Sequence, residues 1–187
     1  MGTLKAIYVR AKNANTVQAI REAYPTAITE RHTQFFAIDR ALHESDCPED
    51  ELRSLAARLK TDVIWLSFQS TVQAFKFFHW HNDAQLRYLV YGCTQERLWE
   101  RIEGDPEPWE QRAIFDRVDL AGILDGYDDP TERDEVERLY LERILAPGNF
   151  WPLLDARETA RAVAEFYRLP GWSLDDDDTP MFRGSLS

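Results

Sequence analysis

Two of the four histidines sit together in His79-Trp80-His81. Side chains two apart on a strand share a face, so both imidazoles fall on the side of Phe75 and Phe77. With ordinary pKa values near 6.5, such a pair donates, accepts or carries charge around neutral pH. A divalent metal would need a third ligand. His32, His43, Asp39 and Asp83 carry suitable donors, but nothing in the sequence brings them to the pair, and no metal is expected. The plain reading is a solvated strand end where a hairpin turns; the functional one is a ligand pocket beside His79 and His81. Arg87, on the returning strand, is its nearest anion-binding group, although a cross-strand charge pair is the commoner fate of a hairpin arginine.

Other chemistry finds less support. No G-x-S-x-G elbow is present, and no Ser or Cys stands in a nucleophile context. Eight glycines form neither G-x-G-x-x-G nor a Walker-type loop, so nucleotide binding through those loops is excluded and no cofactor is expected. Asp125-Gly126-Tyr127-Asp128-Asp129 lacks the EF-hand spacing, and Asp129 is better used as a helix cap. Cys47 and Cys93 have no partners at zinc spacing and are expected as free thiols. Acid–base pairs cannot be picked out among 33 acidic residues. The chain therefore leans away from enzymes.

The elements that must position these residues follow from periodicity. Ala6–Val9 is a short β-prone run. Asn13–Thr16 caps a helix carrying Val17, Ile20, Ala23 and Tyr24 at helical spacing, which Pro25 stops. A weak strand at 27–30 and a better one at 35–38 follow. Ser45–Glu49 starts a second helix, with Leu52, Leu55, Ala56 and Leu59 on its buried face. Residues 63–68 are apolar on both faces, which predicts a central strand covered on two sides. Strands at 72–81, 86–91 and 95–103 complete a meander, with His81–Ala84 as a turn. Gly104–Pro108 breaks the pattern.

Beyond it, Asp129-Pro130-Thr131-Glu132 starts a helix with Val136, Leu139, Tyr140 and Ile144 as its apolar stripe. Asp155 starts another, with Ala160, Val163, Ala164 and Tyr167 inward, closed by Leu169-Pro170-Gly171. The reading is an α+β (mixed α/β) fold: one mixed, largely antiparallel sheet, βαβα then a β-meander, with flanking helices and a C-terminal helical extension. Residues 1–172 are expected to form a single domain, sheet-rich over 1–108 and helical over 109–172. Residues 173–187 read as an acidic, flexible tail.

The block from Val63 to Phe115 carries a buried strand, an aromatic strand, a charged turn, the strand "LRYLVYG", an acidic strand and the loop "GDPEPWE". Over about residues 1–115 this order resembles a bacterial family of small conserved proteins of unassigned function. The resemblance implies the sheet topology and carries no active site with it.

Composition bounds the rest. At 187 residues, 44% hydrophobic and 12% aromatic, the chain can bury a real core. No run approaches a membrane span. Met1–Ala6 lacks the basic and apolar regions of a secretory signal, so a cytoplasmic location is expected.

The formal charge of −11 is uneven: residues 1–94 carry 11 Lys/Arg and 10 Asp/Glu, residues 95–187 carry 11 and 23. Clustered Lys/Arg for nucleic acid are missing. The favoured expectation is a non-enzymatic interaction protein (an inhibitor, immunity-type or adaptor module) binding a basic partner through its acidic C-terminal half. Trp172, Asp175 and Asp176 are its contact candidates. Trp172 can instead dock the C-terminal segment on the body. The competing expectation is a small enzyme or ligand-binding protein with a pocket near His79 and His81.

Overall fold

Alternation of apolar side chains along the strands leaves two faces to be covered, and both are. The computed structural model describes residues 3–40, 49–94, 98–148 and 155–172. Six strands form one sheet: β1 (Thr3–Arg10), β2 (Phe35–Asp39), β3 (Asp62–Gln69), β4 (Ala74–His81), β5 (Ala84–Tyr91) and β6 (Trp99–Gly104), in the order β2-β1-β3-β4-β5-β6. Every pairing is antiparallel. β2 and β3 flank β1, so although they run the same way they never pair. The fold is α+β.

On one face, Ile7, Val9, Val63, Trp65, Phe78 and Val90 pack with Ile20 of α1 (Ala14–Ala23) and with Leu52, Leu55 and Ala56 of α2 (Glu49–Leu59). On the other, Tyr8, Ile64, Leu66, Phe75, Phe77, Leu89 and Tyr91 meet the C-terminal helices. These are α3 (Pro108–Glu110), a π-helical turn (Gln111–Phe115), α4 (Leu120–Leu124), α5 (Pro130–Leu141) and α6 (Ala156–Tyr167). α6 lies against β3 and β4, and its inward stripe is Ala156, Ala160, Val163 and Ala164. Such small side chains let a helix sit close to a sheet of large ones.

The caps anticipated for three helices are in place. Asn13 Oδ1 accepts from the Thr16 N–H at 3.0 Å, Asp129 Oδ1 from Thr131 at 2.7 Å, and Asp155 Oδ1 from Arg157 and Glu158 at 2.8 and 3.1 Å. The Ser45–Pro48 cap of α2, Cys47, and the tail at 173–187 lie outside the described residues. Four expectations are revised. The strand at 27–30 shrinks to one bridge, Ile28 to Ala37. β4 begins at Ala74 because residues 70–73 turn, with Gln73 at φ 59°. β6 begins at Trp99, and residues 95–97 lie outside the described residues. α5 ends at Leu141, so Ile144 leaves its stripe and is exposed. Among the described residues no helix is long and apolar enough to cross a membrane.

One irregularity aims a side chain. His81 pairs with Ala84 and Trp80 with Gln85, but His79 pairs with Arg87, leaving Leu86 as an extra residue. Cross-strand partners share a face, so this bulge turns Arg87 to the side of His79 instead of that of Trp80. Gly104, paired with Arg87, accommodates the bulge: at φ +79°, a Cβ there would lie 2.0 Å from the Leu86 carbonyl oxygen. Gly104→Ala is therefore expected to cost about 2 kcal/mol or more. Urea denaturation measures it, and an unchanged midpoint would contradict this close approach.

Candidate functional site

At one end of the sheet, on the α6 side, the apolar rows give way to a charged one. It runs from Arg10, the last residue of β1, through Asp62, the first of β3, to His81 and His79 of β4 and Arg87 of β5. Asp62 pairs directly with His81 in the sheet. Each charge here has to be matched locally, because an unpaired buried charge costs several kcal/mol.

Asp62 sits at the hub of one group. Its Oδ2 accepts from Arg10 Nη1 at 3.1 Å, and its Oδ1 lies 2.5 Å from His81 Nδ1. His79 Nε2 stands 3.5 Å from the same Oδ1, at ion-pair rather than hydrogen-bond distance. Burial opposes ionisation of Asp62, but the His79, His81 and Arg10 nitrogens around it outweigh that and hold the carboxyl well below its usual range.

Glu107 is the hub of the second group. It lies in the Gly104–Pro108 loop that closes the end of the sheet. Its Oε1 is 2.6 Å from His79 Nδ1, while Oε2 accepts from the Tyr167 hydroxyl at 2.5 Å and from Trp109 Nε1–H at 2.7 Å. One carboxylate thus joins β4, α3 and α6. Burial and the Glu107 charge push the Tyr167 hydroxyl far above its ordinary pKa, so it remains a donor.

His79 is only 6% exposed, and its ring packs edge-on against Phe77 and Tyr167. Burial alone lowers an imidazole pKa; the Asp62 and Glu107 carboxylates on its two sides more than reverse this and raise it to about 9. At neutral pH both nitrogens carry protons. Nδ1–H goes to Glu107, and the buried Nε2 has no hydrogen-bond partner. The arrangement suits donation of a hydrogen bond or proton and is poorly suited to a general base.

Arg87 is spent elsewhere. Buried to 2%, it makes a two-pronged ion pair with Glu110 at 2.8 and 2.7 Å and donates to the Gly104 carbonyl at 2.6 Å. Glu110 Oε1 also accepts the Glu107 backbone N–H at 2.8 Å, so Arg87 fixes the loop that carries Glu107. It is a positioning residue, set behind the cleft instead of in it.

A cleft of about 460 Å³ opens over this row. Asp62, His79 and Tyr167 form its floor, Phe35 and the half-exposed Phe166 its walls, and Arg10, His32 and Arg168 its rim. Arg168 ends α6 in the left-handed region at φ 54°, while the next residue, Leu169, donates to the Ala164 carbonyl at 2.8 Å and is buried. That is a helix stop where glycine is the usual residue.

The histidine pair is thus divided: His79 lines the cleft, and the more exposed His81 supports Asp62 from beside it. Trp172 packs on Phe68, and its Nε1–H donates to the Tyr8 hydroxyl at 3.0 Å, which is the docking role. Asp175 and Asp176 lie outside the described residues. Among the described residues no three His, Cys, Asp or Glu side chains are grouped to hold a metal. Asp62, Glu107 and Tyr167 went unassigned in the sequence.

Fold and site together define an antiparallel α+β protein with a polar cleft at the end of its sheet. No protein-family model, curated protein or solved structure matches the chain.

Two outcomes follow from the buried charges. Arg87→Met leaves Glu110 buried without its cation and should cost about 3–5 kcal/mol. Adding Glu110→Leu should restore much of that; a double variant as unstable as the single would show that the pair does more than neutralise itself. The second concerns pH. His79 binds its proton more tightly folded, at about 9, than at its ordinary 6.5. Its stabilisation is full below pH 6.5 and lost as pH rises through about 9, whereas that of Asp62 is lost on acidification. The thermal midpoint should fall between about pH 7 and 9.5, and His79→Gln should remove most of that slope. An alkaline slope unchanged in His79→Gln would assign it to another group.

Proposed function

We propose that this protein binds a small molecule in the cleft over Asp62, His79 and Tyr167. The observation that carries the reading is the buried His79 Nε2, unpartnered at the floor of an open cleft and flanked by a carboxylate. A folded protein seldom leaves a buried donor unmatched, and perturbed titratable groups beneath a cleft are characteristic of binding and catalytic sites. The aromatic walls and the polar floor supply the usual division between affinity and orientation.

Docking of a basic protein on the acidic helices is the second reading. Leu141, 68% exposed, and Ile144 stand at and just beyond the end of α5, on either side of Glu142 and Arg143, as at a contact surface. It has less support, because part of the acidity there is matched within the chain: Arg138 pairs with Glu135 and Glu142, Arg143 with Asp116, and Arg161 with Glu158. Trp172, the aromatic anchor the sequence offered to a partner, is engaged with Phe68 and Tyr8.

A fragment library screened by NMR against the labelled protein tests the cleft. Hits should move the His79, Phe166 and Tyr167 signals, and His79→Gln should weaken them about tenfold or more while circular dichroism stays unchanged. Hits confined to other surfaces, or an affinity indifferent to His79→Gln, would overturn the reading.

A further inference from the structure

The charges that line the cleft are opposite in sign to the chain as a whole. The formal net charge is −11, yet the cleft presents Arg10 and Arg168 at its rim and the doubly protonated His79 at its floor, against Asp62 in its lining and Glu107 behind His79. Asp62 is already matched by Arg10 and His81, through hydrogen bonds at 3.1 and 2.5 Å. Two donors are left over. His79 Nε2 makes no hydrogen bond and meets Asp62 Oδ1 only at 3.5 Å, its other nitrogen being taken by Glu107, and the exposed Arg168 makes no ion pair among the described residues. Arg10 is held in place by Asp62 and by Gln34 Oε1, which takes its Nε and Nη2 at 2.9 and 2.8 Å. His32 at the rim adds a further cation when protonated.

The helix stop places Arg168 at the cleft, as the left-handed Lys60 and Arg143 close α2 and α5 elsewhere. A left-handed residue closing a helix is best as glycine; a side chain there carries a conformational penalty. Arg168 occupies that place with its side chain lining the cleft.

From this excess of unmatched donors between aromatic walls, we infer that the ligand is a small organic oxyanion, a carboxylate or phosphate on an apolar or aromatic body. Arg168 and His79 Nε2–H bind the oxyanion. Phe35 and Phe166 hold the body. The assignment rests on the cleft being the binding site and adds the charge of what enters it. A guanidinium and an imidazolium both make charge-assisted hydrogen bonds, which are stronger than neutral ones, and inside a cleft they are screened less than on an open surface.

The test uses benzoate, its neutral counterpart benzamide, and inorganic phosphate, each titrated into the labelled full-length protein while the His79 and Phe166 signals are followed. Benzoate should bind about tenfold or more tightly than benzamide, the discrimination expected when a charged hydrogen bond is lost. Arg168→Gly should abolish that preference while leaving stability unchanged or raised, since glycine relieves the left-handed residue. Phosphate shifting the same signals would place the phosphate class beside the carboxylates; phosphate without effect, with benzoate bound, would support the need for the body that Phe35 and Phe166 hold. Benzamide binding as well as benzoate would overturn the anion assignment and leave the cleft as a site. No shift of either signal with any of the three probes would count against the anion and the cleft together. A benzoate preference that survives Arg168→Gly would remove Arg168 from the site and overturn the assignment as stated.

Discussion

A sheet whose central strands are apolar on both sides must be covered on both sides, and most of this architecture follows from that constraint. β3 is buried on each face from Asp62 to Phe68. α1 and α2, drawn from the connections between the early strands, cover one face. They leave the other bare, and the chain after β6 has to return across it. The C-terminal helices are therefore a structural requirement of the sheet. Apart from Glu110, buried against Arg87, most of their acids stand on the outer surface.

Where the cover ends, water would reach the backbone and the ends of the strands, and there the apolar rows change to charge. A buried charged row survives only if every member is matched, and the matches come from different parts of the chain. Asp62 gathers Arg10 and His81 within the sheet; Glu107 gathers His79, Trp109 and Tyr167 across three segments. Arg87 and Glu110 form a separate pair that holds the Glu107 loop. The result is a rigid polar floor with one donor, His79 Nε2, left unmatched.

Much of the fold was legible because its signals are local. Asn13, Asp129 and Asp155 announce their helices, and the apolar run after Asp62 announces the central strand. One residue of the floor was legible as well: alternation alone puts His79 beside Phe77. Its partners were not. Glu107 reads as one acid in a Pro-rich breaker, and only its distance from His79 in space gives it a role. Glu107 and Glu110 do have the spacing of a helix-start pair around Trp109, a signal the sequence offers and that the prolines obscured. The inward turn of Arg87 depends on an extra residue at Leu86, and strict alternation has no means of showing a bulge. Asp62 at the head of an apolar strand was visible, but its three partners come from β1 and β4.

The cleft is assembled from residues as far apart as Arg10 and Arg168, and it is complete only once α6 has been added to the sheet. During synthesis, the face bearing Leu66, Phe75, Phe77 and Tyr91 leaves the ribosome well before α6, which covers it. At about 5–20 residues per second the interval lasts on the order of seconds, long compared with hydrophobic collapse. For that time the nascent chain presents a wide aromatic surface to its surroundings. Its safe passage depends on whatever shields that surface in the cell until the final helix is released.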